Sequence, residues 1–208
     1  MKHVATCLAL SSMLAFPAEA RDRDFEWKLS NTTYSYHVGL STPAACDARM
    51  LTGFAHWNGA SRFNVTQSGR FFSGPINRGS PDIQIQMEPG ERMESGAANL
   101  AEAPPGTFVR WTTIEGAQRQ ELRSAHVRIN ADKWATGQLF CGSGPVPPSA
   151  YDYAYVVAHE AGHVLGLGHG DPLLPQTCIM RAPLRSGVSL FARCLTETRR
   201  AQTLYGLP

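Results

Sequence analysis

The chain has 208 residues, a length typical of one domain. Hydrophobic residues make up 43% of the chain and charged residues 17%, which excludes the composition of disordered proteins. The formal net charge of +2 offers no broad basic surface, so we expect no nucleic-acid partner. Because the chain contains 19 glycines and 14 prolines, we expect long irregular segments between its regular elements.

Residues 1–20 have the pattern of a secretory signal peptide. Lys2 precedes an apolar stretch over 4–16, and Ala18-Glu19-Ala20 forms a small-residue cleavage site. An uncleaved N-terminal anchor or a disordered start is the alternative interpretation. Cleavage would leave residues 21–208 as one domain, secreted to the extracellular medium or to a periplasm. No apolar stretch of this domain is long enough to span a membrane.

Hydrophobic periodicity predicts five strands and three helices in the domain. Pro43 suits the first turn of the first helix, and Gly59 suits its end. Ser149 and Thr196 are the expected N-caps of the second and third helices. The glycine- and proline-rich residues 88–106 predict a long loop. The expected strands are Tyr34–Leu40, Arg62–Thr66, Asp82–Met87, Thr107–Thr112 and Ala125–Asn130.

Four cysteines remain once residues 1–20 are removed, namely Cys46, Cys141, Cys178 and Cys194. An even number of cysteines in an exported chain predicts two disulfides, with free buried thiols as the alternative. Four cysteines allow three pairings, and their spacing alone does not choose among them.

Residues 159–169 read His-Glu-Ala-Gly-His-Val-Leu-Gly-Leu-Gly-His. His159 and His163 are four residues apart, so a helix places both imidazoles on one face, where they can reach one zinc ion. Glu160 is placed to hold a water molecule rather than the metal. Gly166 can adopt a positive φ, which ends the helix and turns His169 back toward the metal.

Three histidine ligands leave one tetrahedral position open for water, which is the arrangement of a catalytic zinc site. A zinc-bound water activated by Glu160 as general base would then attack a carbonyl carbon. The alternative is a helix whose histidines are solvated or packed. The helix, Gly166 and His169 all agree with one another, and this agreement favours the metal site.

The motif of residues 159–169, followed by Met180, resembles the metzincin clan of zinc metallopeptidases, and within it the matrixin-type catalytic domain. Met180 matches the Met-turn that lies beneath the metal in that clan. The resemblance implies an α+β, zincin-like single domain over 21–208. It would have a twisted mixed five-stranded sheet, an active-site helix and a C-terminal helix. The implied activity is that of a secreted, monomeric endopeptidase with one catalytic zinc ion and protein or peptide substrates.

The resemblance also implies roles for residues around the motif. The strand that carries Val109 and Trp111 is expected to pair with an extended substrate. Leu184 and Val188 are expected to line the pocket beyond the scissile bond, although apolar residues there would equally suit the core.

Cys178 and Cys194 bracket the Met-turn and the expected pocket wall. We therefore favour a disulfide between them that stiffens the wall, which leaves Cys46 and Cys141 as the second pair.

The chain departs from the matrixin pattern at several positions. Gly170 stands where a serine usually follows the third histidine, and Arg181 follows the Met-turn methionine in place of tyrosine. Residues 88–106 contain no histidine, and Glu102 stands where a histidine ligand of a second, structural zinc is expected. We therefore expect one zinc ion. Calcium is an option without specific support, because loop carboxylates are equally explained as solvated residues.

Two functions from other classes stay open. A secreted zinc-binding module without proteolytic activity is one, although such a module would have no need of Glu160. A zinc hydrolase acting on a non-peptide amide or ester is the other, and a substrate panel would separate it from a peptidase. A latency contact from Asp22 or Asp24 to the zinc is a further hypothesis, with a frayed terminus as its alternative.

Overall fold

A computed structural model of the protein describes residues 25–72, 74–170, 175, 178–189 and 192–208. The expected signal peptide, Asp22 and Asp24 lie outside the described residues. The strands are β1 (Trp27–Leu29), β2 (Thr33–Gly39), β3 (Asn64–Phe72), β4 (Ile83–Glu88), β5 (Ala101–Glu102), β6 (Phe108–Ile114), β7 (Ala117–Leu122), β8 (Val127–Asn130), β9 (Leu139–Phe140) and β10 (Tyr151–Asp152). The α-helices are α1 (Asp47–Ala55), α2 (Ala131–Ala135), α3 (Tyr153–Val164) and α4 (Leu195–Tyr205).

A five-stranded sheet in the order β3-β2-β4-β8-β5 forms the centre of the fold. The first four strands are parallel, and β5 runs antiparallel to β8, so the sheet is mixed as expected. Its fifth strand is not the expected Thr107–Thr112. That place belongs to β5, which lies inside the segment expected to be a loop. The glycine and proline content of this segment predicted a loop, and a strand of only two residues is too short to show an alternating pattern.

The segment around Val109 and Trp111 belongs to a second sheet, in the order β1-β7-β6. Strands β6 and β7 form an antiparallel hairpin closed by Glu115 and Gly116, and both residues have a positive φ (48° and 85°). This is the backbone of a two-residue hairpin turn whose twist matches that of the strands. The hairpin partner β7 was not among the expected strands, because its charged residues interrupt the apolar alternation.

Helix α3 is buried along its whole length and packs against α1, β5 and β8. The contact with α1 is close because Gly53 presents no side chain there, and a Cβ at this position would come within 2.7 Å of the Ala154 carbonyl oxygen. The Trp57 indole donates a hydrogen bond of 2.7 Å to the Ala158 carbonyl across the same contact. These contacts fix the depth and rotation of the helix that carries the histidine motif.

The N-caps of two helices differ from the expected residues. Asp152, not Ser149, caps α3, and its carboxylate accepts a hydrogen bond of 2.9 Å from the Ala154 amide. Cys194, not Thr196, caps α4, with Glu197 three residues later completing a capping box. In both cases the observed N-cap lies two or three residues from the expected one, because sequence pattern alone does not locate the first residue of a helix accurately.

The first helix is also shorter than expected. A 3₁₀ turn at Ala44–Cys46 follows Pro43, and α1 begins at Asp47 and ends at Ala55, before Gly59. Within the described residues, no helix has both the length and the apolar character needed to cross a membrane.

Candidate active site

The three histidines of the motif converge in the structure. His159 and His163 project from one face of α3, and Gly166, with φ of 90°, turns the chain immediately after the helix. A side chain at Gly166 would overlap the backbone carbonyl of Trp27, so both the positive φ and the close approach require glycine here. The turn carries His169 back to the other two rings.

The Nε2 atoms of the three rings form a cluster of the size that a metal ion needs. The Nε2 atom of His159 lies 3.2 Å from that of His163 and 3.2 Å from that of His169. Tetrahedral bonds of about 2.0–2.1 Å to zinc require nitrogen atoms about 3.3–3.4 Å apart. The three imidazoles therefore fit a zinc ion with one ligand position left open.

Backbone carbonyls fix the tautomers of the two helical histidines. The Nδ1 atom of His159 lies 2.7 Å from the Ile179 carbonyl, and that of His163 lies 2.8 Å from the Leu167 carbonyl. A carbonyl only accepts hydrogen bonds, so each Nδ1 carries the hydrogen and each Nε2 presents a lone pair. Burial lowers the pKa of His159 to about 4 and that of His163 well below its usual range, which keeps both rings neutral.

Glu160 is 6% exposed and lies on α3 between the two helical histidines. Burial is the largest cause that raises its pKa, to about 8, and the Glu102 and Glu26 carboxylates add to the effect. A carboxyl with a raised pKa is suited to accept and return a proton near neutral pH.

Met180 lies fully buried, and its side chain packs against Gly162 of α3, between the two helical histidines. Its carbonyl accepts a hydrogen bond of 2.8 Å from the Gly170 amide, which joins the turn to the residue after His169. Its own amide donates to the buried Glu197 carboxylate at 2.5 Å, and the Cys194 amide donates to the same carboxylate at 2.7 Å. Glu197 therefore holds the Met-turn against α4.

Sequence reasoning missed this role of Glu197. The signal available was its position three residues after Cys194, which is capping-box spacing. That spacing predicts a helix start but says nothing of the distant Met180 amide.

Both disulfides follow the favoured pairing, Cys178 with Cys194 and Cys46 with Cys141. The first links the Met-turn to the start of α4. Cys178, Cys194 and Glu197 also lie close enough together to resemble a metal-binding group. Because the two sulfur atoms are bonded to each other, they are not available as thiolate ligands.

The expected pocket wall lies directly after the Met-turn. Leu184 and Val188 are partly buried and pack against the core, and Leu184 also lines a shallow cavity with Arg181, Pro183 and Arg185. Both residues therefore contact the core, and their place in a substrate pocket beyond the scissile bond stays a prediction.

The structure places Val109 and Trp111 on β6, with 45% and 61% of their surfaces exposed. Strand β6 is the outer strand of the second sheet. The strand that flanks α3 at the edge of the five-stranded sheet is β5.

An N-terminal segment beside the histidines was also missed. Phe25 forms a bridge with Leu167, and the Glu26 amide donates a hydrogen bond of 2.8 Å to the Gly166 carbonyl. The Glu26 carboxylate lies 3.7 Å from Nδ1 of His163. Burial raises the pKa of Glu26 to about 7. No motif in the sequence marks this segment, because its partners lie more than 130 residues away in the chain.

This geometry defines a zinc-dependent metallopeptidase: three neutral imidazoles around one metal position, a buried carboxyl beside them and a methionine turn beneath them. A family model described as matrixin matches residues 21–185, and the chain belongs to the matrixin family. It is therefore a zinc metalloendopeptidase of the matrixin type, with a protein or peptide as its substrate.

Proposed function

We propose that the protein is a secreted, monomeric endopeptidase in which residues 21–208 form the catalytic domain and Glu160 is the general base. The single observation that carries the proposal is the close approach of the Nε2 atoms of His159, His163 and His169, at the spacing of tetrahedral zinc ligands. The pattern of residues 1–20 supports secretion, and the two disulfides suit an oxidising compartment.

The residues of the site divide the chemistry among them. When bound, zinc supplies a Lewis acid that acidifies water and polarises the substrate carbonyl. Glu160 accepts the proton of the attacking water and returns it to the amine that leaves. Its burial favours proton acceptance, because desolvation raises its pKa and so makes the carboxylate a stronger base. The Nδ1 hydrogen bonds of His159 and His163 keep their ligand atoms in place throughout.

The substrate is proposed to lie along β5 as an added strand. Carbonyl oxygens of Leu100 and Pro104 accept hydrogen bonds from β8 and the residue before it, so these residues face into the sheet. Because backbone groups alternate in direction along a strand, Ala101 and Ala103 present theirs to the open edge. A peptide there gains main-chain hydrogen bonds beside α3. The location of β5 favours it over the strand of Val109 and Trp111.

The test is hydrolysis of casein and of a peptide library by the purified 21–208 chain. We expect internal cleavage that stops with a zinc chelator and returns when zinc is added. Glu160→Ala should reduce the rate at least about 100-fold while zinc stays bound, and Glu91→Ala, at an exposed position of the 3₁₀ turn Gly90–Arg92, should leave the rate unchanged. Zinc binding without cleavage would indicate a non-proteolytic module. Cleavage of esters or small amides alone would indicate a different hydrolase.

A further inference from the structure

Arg128 lies at the centre of a cluster of three glutamates that come from different parts of the chain. Its Nη1 atom is 2.9 Å from Glu94 and 3.0 Å from Glu102, and its Nε atom is 3.3 Å from Glu88. Arg128 is on β8, Glu88 ends β4, Glu102 is on β5, and Glu94 lies in the loop between β4 and β5. The guanidinium of Arg128 on β8 therefore contacts both strands that pair with β8, β4 and β5, and the loop between them.

The cluster is largely withdrawn from water. The side chain of Arg128 is 11% exposed, and those of Glu88 and Glu102 are 2% and 9% exposed. Charged pairs at such depth are much less screened than surface pairs, and loss of one partner leaves the others with uncompensated charge. Without Arg128, three carboxylates would face one another, and the nearby Arg78 is seen to pair with the exposed Glu94.

Glu102 also organises the loop before β5. Its carboxylate accepts hydrogen bonds from the Glu94 amide at 3.1 Å and from the Ser95 amide and hydroxyl at 2.8 Å each. The Glu102 carboxylate thus links β5 both to Arg128 of β8 and to the folded loop before the strand. Backbone hydrogen bonds to the Leu100 and Pro104 carbonyls lie on either side of this two-residue strand, and the Arg128–Glu102 pair lies between them.

We propose that Arg128 is a positioning residue for the substrate. It acts through Glu102 to hold β5 at the depth and register in which its open edge lies beside Glu160. Strand β5 contacts helix α3, which carries Glu160 and two of the histidines, so a shift of β5 would move a bound peptide relative to the histidines. This inference rests on the proposed peptidase function and on substrate pairing at β5.

The experiment compares two substrates with the same scissile bond. One is a peptide of about eight residues, which can lie along β5, and the other is a blocked peptide of about four residues, which reaches little of it. Arg128→Gln should raise KM for the long peptide about tenfold with kcat within about twofold, because it removes binding along the strand. For the short peptide both constants should change less than about twofold.

Arg110→Gln is the matched control, since Arg110 pairs with Glu121 at 3.1 Å but lies on the second sheet. It should leave both substrates unchanged. Arg128→Lys keeps the charge but lacks the planar fork that reaches several carboxylates, so it should give an intermediate KM for the long peptide. If Arg128→Gln does not fold, Arg128→Lys provides the test. Its ratio of KM for the long peptide to KM for the short peptide should be higher than that of the wild type.

If Arg128→Gln lost activity equally on the two peptides, or kept the wild-type KM for the long peptide, the inference would be overturned and the proposed function would not be affected. A wild-type chain that cleaves neither peptide would overturn both the inference and the proposed function.

Discussion

Gly162 presents a bare stretch of α3 backbone to the side chain of Met180. A Cβ at residue 162 would overlap the Met180 sulfur and lie 2.9 Å from Cζ2 of Trp57. The active-site helix can therefore settle directly on the Met-turn, and Met180 fills the space that a side chain would take. Close packing against Met180 thus explains why the residue between His159 and His163 that faces the Met-turn is a glycine.

Gly162→Ala should destabilise the protein and disturb the site together. Overpacking of a buried position costs about 1–3 kcal/mol, and relief of the overlap requires movement of Met180 or Trp57. Thermal unfolding and peptidase assays on the same preparation would measure both effects. Gly79→Ala, at an exposed position with ordinary φ, is the control and should stay close to wild type. A fully stable and active Gly162→Ala protein would show that the contact is not tight.

His169→Ala should weaken zinc binding by more than about 100-fold, because it removes one of three ligand atoms and leaves two on the helix. Competition with a chromogenic chelator measures the affinity. His37→Ala is a suitable control, since this histidine is on β2 and pairs with Asp82. Unchanged zinc affinity in His169→Ala would contradict the three-histidine site.

Loss of the two disulfides should affect activity differently. Replacement of Cys178 and Cys194 by alanine opens a loop with sequence separation 16, which should cost about 3 kcal/mol, and should also lower activity because the Met-turn loses its link to α4. Replacement of Cys46 and Cys141, with separation 95, should lower stability with little change in kcat. Denaturant unfolding and kinetics on both double variants test this. Equal kcat in the two variants would argue against a role for the Cys178–Cys194 link at the site.

His126 should make the protein less stable in mild acid. Burial lowers its pKa in the folded protein to about 4, and the ring accepts a hydrogen bond of 3.2 Å from the Gln84 amide. Between pH of about 6.5 and about 4, the unfolded chain binds a proton that the folded chain does not. The free energy of unfolding should therefore fall as pH drops through this range, by up to about 3 kcal/mol from this residue.

His126→Gln keeps a hydrogen-bond acceptor near Gln84 and removes the titration. Its free energy of unfolding, measured by denaturant titration at several pH values with zinc present, should vary less with pH than that of the wild type. The same pH slope in both proteins would assign the acid sensitivity to other groups.

The sequence by itself predicted which histidines come together. His159, His163 and Gly166 lie on one helix and its end, where a spacing of a few residues fixes their relative positions in space. The five-stranded mixed sheet and the favoured cysteine pairs also followed, with help from the resemblance that the motif carried.

Only the tertiary structure decided which strand lies beside the site and which polar groups support it. Strand β5 is two residues long, and its Glu102 pairs with Arg128, a contact between separate parts of the chain. Glu197 meets Met180 and Glu26 approaches His163 for the same reason. Such contacts arise when separate elements pack together, and no local periodicity encodes them.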